Sequence, residues 1–205
     1  MWNDVQAILF DCDGVMFDSR EANRHYYNSI LNHLGFPDMP DEDVGPVHML
    51  TAWDSVKYIM RHHPESLPAA MKYLKTVDYA PFIQYMTMEP DLKEVLGYLR
   101  ERYKTAVVSN RSTTLAGLLK LHGLNELFDV VVSALDVSRP KPDPEALNKA
   151  LEAFRLTNRQ AVYIGDSVID EQASVQASVS LIAFRNPELE AEAHIDSLSE
   201  LKRML

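Results

Sequence analysis

The sequence predicts an α/β protein: a parallel sheet with helices on both faces, carrying a separate, small all-helical insert. Three observations predict it. Short apolar, β-branched runs alternate with segments of helical spacing over most of the chain. Those runs lack clean polar alternation, as expected of strands covered on both faces. Residues 18–89 break the rhythm with helical stripes alone. Strands alternating with helices imply a parallel sheet with right-handed crossovers.

The elements follow in chain order. Residues 5–10 read as the first strand. In the insert, Ala22, Tyr26, Tyr27, Ile30, Leu31 and Leu34 share one helical face, ended by Gly35. Met49, Trp53, Val56 and Met60 make a second stripe, with Trp53 and Met60 expected in the core of the insert, and Leu67, Met71 and Leu74 a third. Nothing in 18–89 reads as a strand. Leu92, Val95, Leu96 and Leu99 then form a helical stripe, followed by a strand at 105–109. Leu115, Leu118, Leu119 and His122 form the next helix, with Ser112 or Thr113 as N-cap and Gly123 past its end. After a strand at 130–133 comes the stripe Leu147, Ala150, Leu151 and Phe154, opened by Asp143 as cap and Pro144 at the first helical position. Residues 161–164 and 179–184 complete the strands. Asp196 or Ser197 caps a last helix, with Glu200 closing a capping box and Leu201 and Leu205 on its apolar face. The expected core is therefore discontinuous, 1–17 and 90–205, around a helical domain at 18–89.

Composition narrows the function. With 205 residues, 46% of them hydrophobic, the chain can bury a core without disulfides or metal staples. Acidic residues outnumber basic ones 30 to 20, for a net charge of −10, the reverse of a nucleic-acid binder's balance. The single cysteine, Cys12, excludes an intramolecular disulfide and a cysteine-based zinc site. No apolar stretch approaches the roughly 20 residues that span a membrane. The start, Met1-Trp2-Asn3-Asp4, has no basic stretch and does not read as a signal peptide. A cytoplasmic protein is expected. Its oligomeric state is not written in these features.

The chemistry concentrates at strand ends. Ile8-Leu9-Phe10 runs directly into Asp11-Cys12-Asp13-Gly14, two carboxylates one residue apart and then a glycine that permits a sharp turn. Burying carboxylates there is expensive without compensation. If strand geometry persists, the period of two sends Asp11 and Asp13 the same way. In an open α/β sheet this is the crevice where ligands bind. A second apolar strand ends in Gly165-Asp166-Ser167, with Asp170 four residues after Asp166, and a helix starting at Ser167 would bring the two acids together. Capping by Asp166 or Ser167 is the plainer reading of that motif alone. Several carboxylates around one crevice repel unless a cation joins them, and hard oxygen donors point to Mg²⁺. Ser109-Asn110 ends another strand, just before a helix start that offers N–H groups to an anion. Lys141 lies among three prolines in Arg139-Pro140-Lys141-Pro142-Asp143-Pro144, which stiffen the backbone around one ammonium group.

The order of these pieces, DxDGV, strand-Ser-Asn, Lys-Pro-x-Pro and GDSxxD with a helical insert after the first, resembles the haloacid dehalogenase superfamily over essentially the whole chain. It is most similar to the phosphatase branch whose helical cap follows the first motif, the type that includes phosphoglycolate phosphatase and β-phosphoglucomutase. The resemblance implies a Rossmann-like core and a Mg²⁺-dependent phosphatase acting on a small phosphorylated metabolite. It assigns Asp11 as nucleophile and Asp13 as general acid and base. Ser109, Asn110 and Lys141 would bind the transferring phosphoryl group. Mg²⁺ would be held by Asp11, the backbone carbonyl of Asp13, and Asp166, with Asp170 orienting from behind. Arg20 and His48, in the insert and its connection, are candidate substrate contacts. The sequence departs from the family after the last motif, where Ala173-Ser174-Val175-Gln176-Ala177-Ser178 contains no glycine. Tighter packing with intact chemistry is expected there.

Cys12 between two acids reads as a small buried residue, because neighbouring negative charge suppresses its thiolate. Two rival functions remain open at this point. A sugar phosphomutase shares the four motifs, and a non-catalytic binding protein could use the same scaffold. No nucleic acid or membrane partner is expected.

Overall fold

The computed structural model describes Trp2 and residues 4–205; the N-terminal reading at Met1 and Asn3 lies outside the described residues. The described residues form eight strands: β1 (Ala7–Phe10), β2 (Phe17–Asp18), β3 (Thr87–Met88), β4 (Lys104–Val108), β5 (Val130–Val132), β6 (Ala161–Gly165), β7 (Ser180–Phe184) and β8 (Ala193–Ile195). The helices are α1 (Arg20–His33), α2 (Asp41–Met49), α3 (Ala52–Ile59), α4 (Leu67–Leu74), α5 (Leu92–Leu99), α6 (Leu115–Leu121), α7 (Glu145–Phe154), α8 (Val168–Ala177) and α9 (Leu201–Met204).

Six strands form one parallel sheet in the order β5-β4-β1-β6-β7-β8. All four residues of β1 are fully buried, so both faces of the sheet are covered. On one face Ala7 and Leu9 join Ala106, Val108, Tyr163 and Leu181 beneath Leu147 and Ala150 of α7 and Ala173 of α8. Ile8 and Phe10 point the other way. The four apolar residues of α5 are also fully buried, and that helix packs on β4 and α9. Each such side chain contributes roughly 1.5–3 kcal/mol by leaving water. The first connection runs from β1 to its neighbour β4, and the chain later crosses to β6 on the other side of β1. Strand order reverses there, which puts the crevice at the carboxyl ends of β4, β1 and β6.

The chain divides into two compact units. One runs to Phe17 and resumes with Met88–Leu205; the other is Asp18–Thr87. The second unit is helical. Its centre holds Tyr26, with Tyr79 and Phe82 edge-on at 4.9 and 5.5 Å between centroids. The buried amide of Asn23 accepts from the Tyr79 hydroxyl at 2.9 Å and lies 3.2 Å from His48 Nδ1.

Several local expectations shift. The stripe from Met49 to Met60 spans two helices, because Thr51 breaks it and caps α3 by accepting from the Asp54 N–H. Trp53 is consequently 41% exposed and not a core residue. The two-residue strands β2 and β3 pair as a separate ribbon, too short to stand out in the sequence. Helix α7 starts one residue later than expected, with Pro144 at the cap position; Asp143 still accepts from the first helical N–H, that of Glu145, at 3.0 Å. Neither Ser112 nor Thr113 caps α6, where Thr114 stands at the cap. Ser197 and Glu200 form the expected capping box, which opens a short 3-10 turn leading into α9. After α8, Ser178 adopts the left-handed conformation (φ 55°) that a glycine would ordinarily take.

Candidate active site

The ends of β1, β4 and β6 each deliver a polar residue immediately after the last strand residue. Asp11 follows Phe10, Ser109 follows Val108, and Asp166 follows Gly165. The ladder continues one step past two of these strands, since the Asp11 N–H donates to Ile164 O and the Ser109 N–H to Val132 O. Asp11 and Ser109 are therefore held by sheet backbone and buried. Strand geometry does not persist beyond Phe10. Gly14 turns the chain at φ +88°, and Asp11 and Asp13 meet different cations.

Lys141 is the buried centre of the site. Its Nζ donates to Asp11 Oδ1, Asp170 Oδ1 and the Tyr163 hydroxyl, each at 2.7 Å. Burial opposes its charge, but Asp11 and Asp170 outweigh that and hold the ammonium protonated well above its usual range. Its main chain is fixed separately: Asn110 Nδ2 donates to the Lys141 carbonyl at 2.9 Å. The amide group of Asn110 is thus engaged with protein backbone. Ser109 Oγ accepts from the Arg111 N–H at 3.1 Å. The Ser-Asn pair does not open a helix as expected; α6 begins only at Leu115, and Arg111 lies in the intervening loop. There the Arg111 guanidinium grips Asp13 through two bonds.

Asp170 has both oxygens committed. Oδ2 accepts from the N–H of Asp166, the N–H of Ser167 and the Ser167 hydroxyl, closing the capping box of α8. Oδ1 accepts from Lys141 and from the Tyr163 hydroxyl. Five donors keep it ionised despite complete burial: burial pushes its pKa upward, but Lys141 and the hydrogen bonds prevail and lower it.

Asp166 differs. Among the described residues no donor reaches its carboxylate, while burial, Asp170 and Asp11 push its pKa up to about 8. Asp11 rises to about 7, mainly through burial, with Lys141 opposing and Asp170 adding to the rise. Asp11, Asp166 and Asp170 offer oxygens within 4.8 Å of one another. Because Asp170 is saturated, Asp11 and Asp166 are the carboxylates able to take a cation. An all-oxygen donor set crowded with negative charge fits a hard divalent ion such as Mg²⁺. Gly14 keeps this space open: a Cβ there would stand 2.0 Å from Asp166 Oδ2.

The structure thus brings together Asp11, Lys141, Asp166 and Asp170, with Asp13 and Ser109 linked through Arg111. Arg20 and His48 belong to the helical unit, Arg20 exposed at the start of α1 and His48 buried on α2. Two site residues were not singled out in the sequence: Arg111, which was given no role, and Tyr163, which fell inside the apolar strand at 161–164. Cys12 is fully buried, and burial with Asp13 raises its thiol well above the usual range, so it is no nucleophile.

This fold and acidic strand-end site are those of a hydrolase core. A family model described as haloacid dehalogenase-like hydrolase matches residues 8–184. The pyrophosphatase PpaX of Bacillus velezensis is 30% identical over 84% of this chain and 80% of its own length. A phosphoglycolate phosphatase of Cupriavidus necator is 28% identical over 97% of this chain and 92% of its own. A crystal structure of a HAD-superfamily hydrolase, subfamily IA, from Geobacter sulfurreducens superposes with a TM-score of 0.87 at 32% identity, covering 98% of this chain and 100% of that one. The chain belongs to the haloacid dehalogenase-like hydrolases and is an enzyme of that family. No helix among the described residues is long and apolar enough to cross a membrane.

Proposed function

We propose that the protein is a Mg²⁺-dependent phosphatase that hydrolyses a small phosphorylated metabolite through an aspartyl-phosphate on Asp11. The observation that carries this reading is the 2.7 Å contact between Lys141 Nζ and Asp11 Oδ1 at the sheet's switch point. It holds a strand-end carboxylate beside a fixed cation, so that a phosphoryl group joined to Asp11 would come within reach of the ammonium.

Asp11 attacks phosphorus, the bond to the leaving oxygen breaks, and Asp13 gives that oxygen a proton. Water then attacks the phosphorylated Asp11, Asp13 takes its proton, and the acyl phosphate bond breaks to release inorganic phosphate. Ser109 and Lys141 hold the phosphoryl oxygens during both steps. Asp11, Asp166 and the backbone carbonyl of Asp13 would hold Mg²⁺, which when bound neutralises the repulsion between the carboxylates and a phosphate dianion. Asn110 remains a candidate contact for the phosphoryl group, and it also fixes the Lys141 backbone through its amide Nδ2.

The helical unit, residues 18–87, acts as a cap in this reading, with Arg20 and His48 as candidate substrate contacts. The names of the relatives, pyrophosphatase and phosphoglycolate phosphatase, support a small substrate carrying a second anionic group beside the reacting phosphate. Such a substrate suits a cytoplasmic enzyme. The net charge of −10 favours neither nucleic acid nor an anionic membrane as partner. A β-phosphoglucomutase of Clostridium difficile superposes with a TM-score of 0.83 at 18% identity, a likeness that bears on the fold and not on phosphoryl return to substrate.

The test is turnover of p-nitrophenyl phosphate. Wild-type protein should release phosphate continuously with Mg²⁺ and without a sugar bisphosphate activator. Activity should stop in EDTA, and Asp11→Asn should form no phosphoenzyme detectable by intact mass. Full activity in EDTA, or wild-type turnover by Asp11→Asn, would overturn the reading.

A further inference from the structure

We propose that Tyr163 is a positioning residue for Lys141, acting through its phenol oxygen and not through its ring. The proposal rests on the phosphatase reading above, in which Lys141 holds the phosphoryl group.

Tyr163 lies in the middle of β6, opposite Leu9 of β1, and is fully buried. Its neighbours in the cluster are Ala, Leu and Val side chains, among which a phenylalanine ring would pack equally well. A hydroxyl at such a place costs free energy unless it is satisfied. Here it is engaged as acceptor and as donor. It accepts from Lys141 Nζ at 2.7 Å and donates to Asp170 Oδ1 at 2.7 Å, with the Val108 carbonyl farther off at 3.4 Å.

Lys141 Nζ also donates to that same Asp170 oxygen at 2.7 Å. Ammonium, phenol and carboxylate oxygen therefore form a closed triangle with three edges of 2.7 Å. A single ion pair to Asp170 would set a distance but leave the flexible lysine stem free to swing around it. The triangle removes that freedom. An ammonium has three N–H groups; Asp170 and Tyr163 take two, and the third is left directed at Asp11 Oδ1. One donor is thus aimed at the place where the phosphoryl oxygen arrives. Asn110, bonded to the Lys141 carbonyl, clamps the other end of the residue.

The experiment compares wild type, Tyr163→Phe, Lys141→Arg and the double variant. Tyr163→Phe should keep the melting temperature close to wild type and lower kcat for p-nitrophenyl phosphate by roughly 10–100-fold, as expected for a misplaced reacting group. KM should change by less than about threefold. In the Lys141→Arg background, whose guanidinium cannot complete the same triangle, adding Tyr163→Phe should cost little further activity. By NMR, the Lys141 ammonium resonance should persist in wild type and broaden by faster proton exchange in Tyr163→Phe. That measurement needs no turnover. An unchanged kcat and an unchanged ammonium resonance in Tyr163→Phe would overturn the proposal while leaving the phosphatase reading intact. A wild type that turns over no phosphoester, yet shows the ammonium resonance broadening in Tyr163→Phe, would overturn the phosphatase reading and retain the positioning of Lys141.

Discussion

One guanidinium holds both carboxylate oxygens of Asp13: Arg111 donates from Nε to Oδ2 at 3.0 Å and from Nη2 to Oδ1 at 2.5 Å. Its remaining nitrogen, Nη1, donates to Thr114 Oγ1 at 3.2 Å. Such a fork fixes the plane of the carboxylate as well as its distance. Arg111→Ala should therefore loosen Asp13 and lower kcat by roughly 10²-fold for substrates with alkoxide leaving groups. The loss should be smaller with p-nitrophenyl phosphate, whose leaving group needs no proton. Arg111→Lys keeps the charge without the fork and should recover only part of the loss. Equal losses on both substrate types would show that Arg111 does not act through Asp13.

Asp11 and Asp13 meet different partners and should fail differently. Asp13→Asn keeps the nucleophile and the backbone carbonyl, and should slow turnover roughly 10²–10⁴-fold. With an activated substrate the first step suffers less than the second. The phosphorylated protein should then accumulate, visible by intact mass, and adding Asp11→Asn should abolish it. Absence of any phosphorylated species under single-turnover conditions would count against the assignment.

Gly14 and Gly35 both have positive φ, +88° and +81°, but differ in surroundings. At Gly35 a Cβ meets nothing within 4 Å, whereas at Gly14 it would stand 2.0 Å from Asp166 Oδ2. Gly35→Ala should cost only backbone strain, about 1 kcal/mol or somewhat more. Gly14→Ala should cost more and should also weaken Mg²⁺ binding. Thermal melts and calorimetric titration with Mg²⁺ separate the two effects.

Asp166 adds a third carboxylate to a cluster within 4.8 Å. Above about pH 8, where the metal-free Asp166 carboxyl is ionised, Asp166→Asn removes one charge from that repulsion. The metal-free variant should melt higher than metal-free wild type, by roughly 2–4 °C for each kcal/mol relieved. Mg²⁺ should stabilise wild type far more than the variant. A variant that gains as much from Mg²⁺ as wild type does would remove Asp166 from the metal site.

What could be read from the sequence, and what could not, divides along physical lines. The central strands were legible because burial on both faces leaves runs such as Ala7-Ile8-Leu9-Phe10 without a polar interruption. The acids were legible because each follows such a run directly. Strand β8, Ala193–Ile195, was missed: three residues at a sheet edge with His194 in the middle carry no pattern distinct from a loop. Trp53 was misplaced because helical spacing continues across Leu50 and Thr51 in sequence, while the backbone does not. Tyr163 was hidden by its own apolar neighbours, since a phenol in a buried strand reads as ring. Arg111 was hidden because its partner lies 98 positions away. Pairings of that separation follow from sheet order and have no trace in local spacing.

Asp170 has a double duty with a practical outcome. The carboxylate that closes the capping box of α8 is the same one that anchors Lys141. Fraying of one helical turn would therefore unseat the lysine while the sheet is still intact. Heat should silence this enzyme at a temperature below that at which it unfolds, and the lost activity should return on cooling.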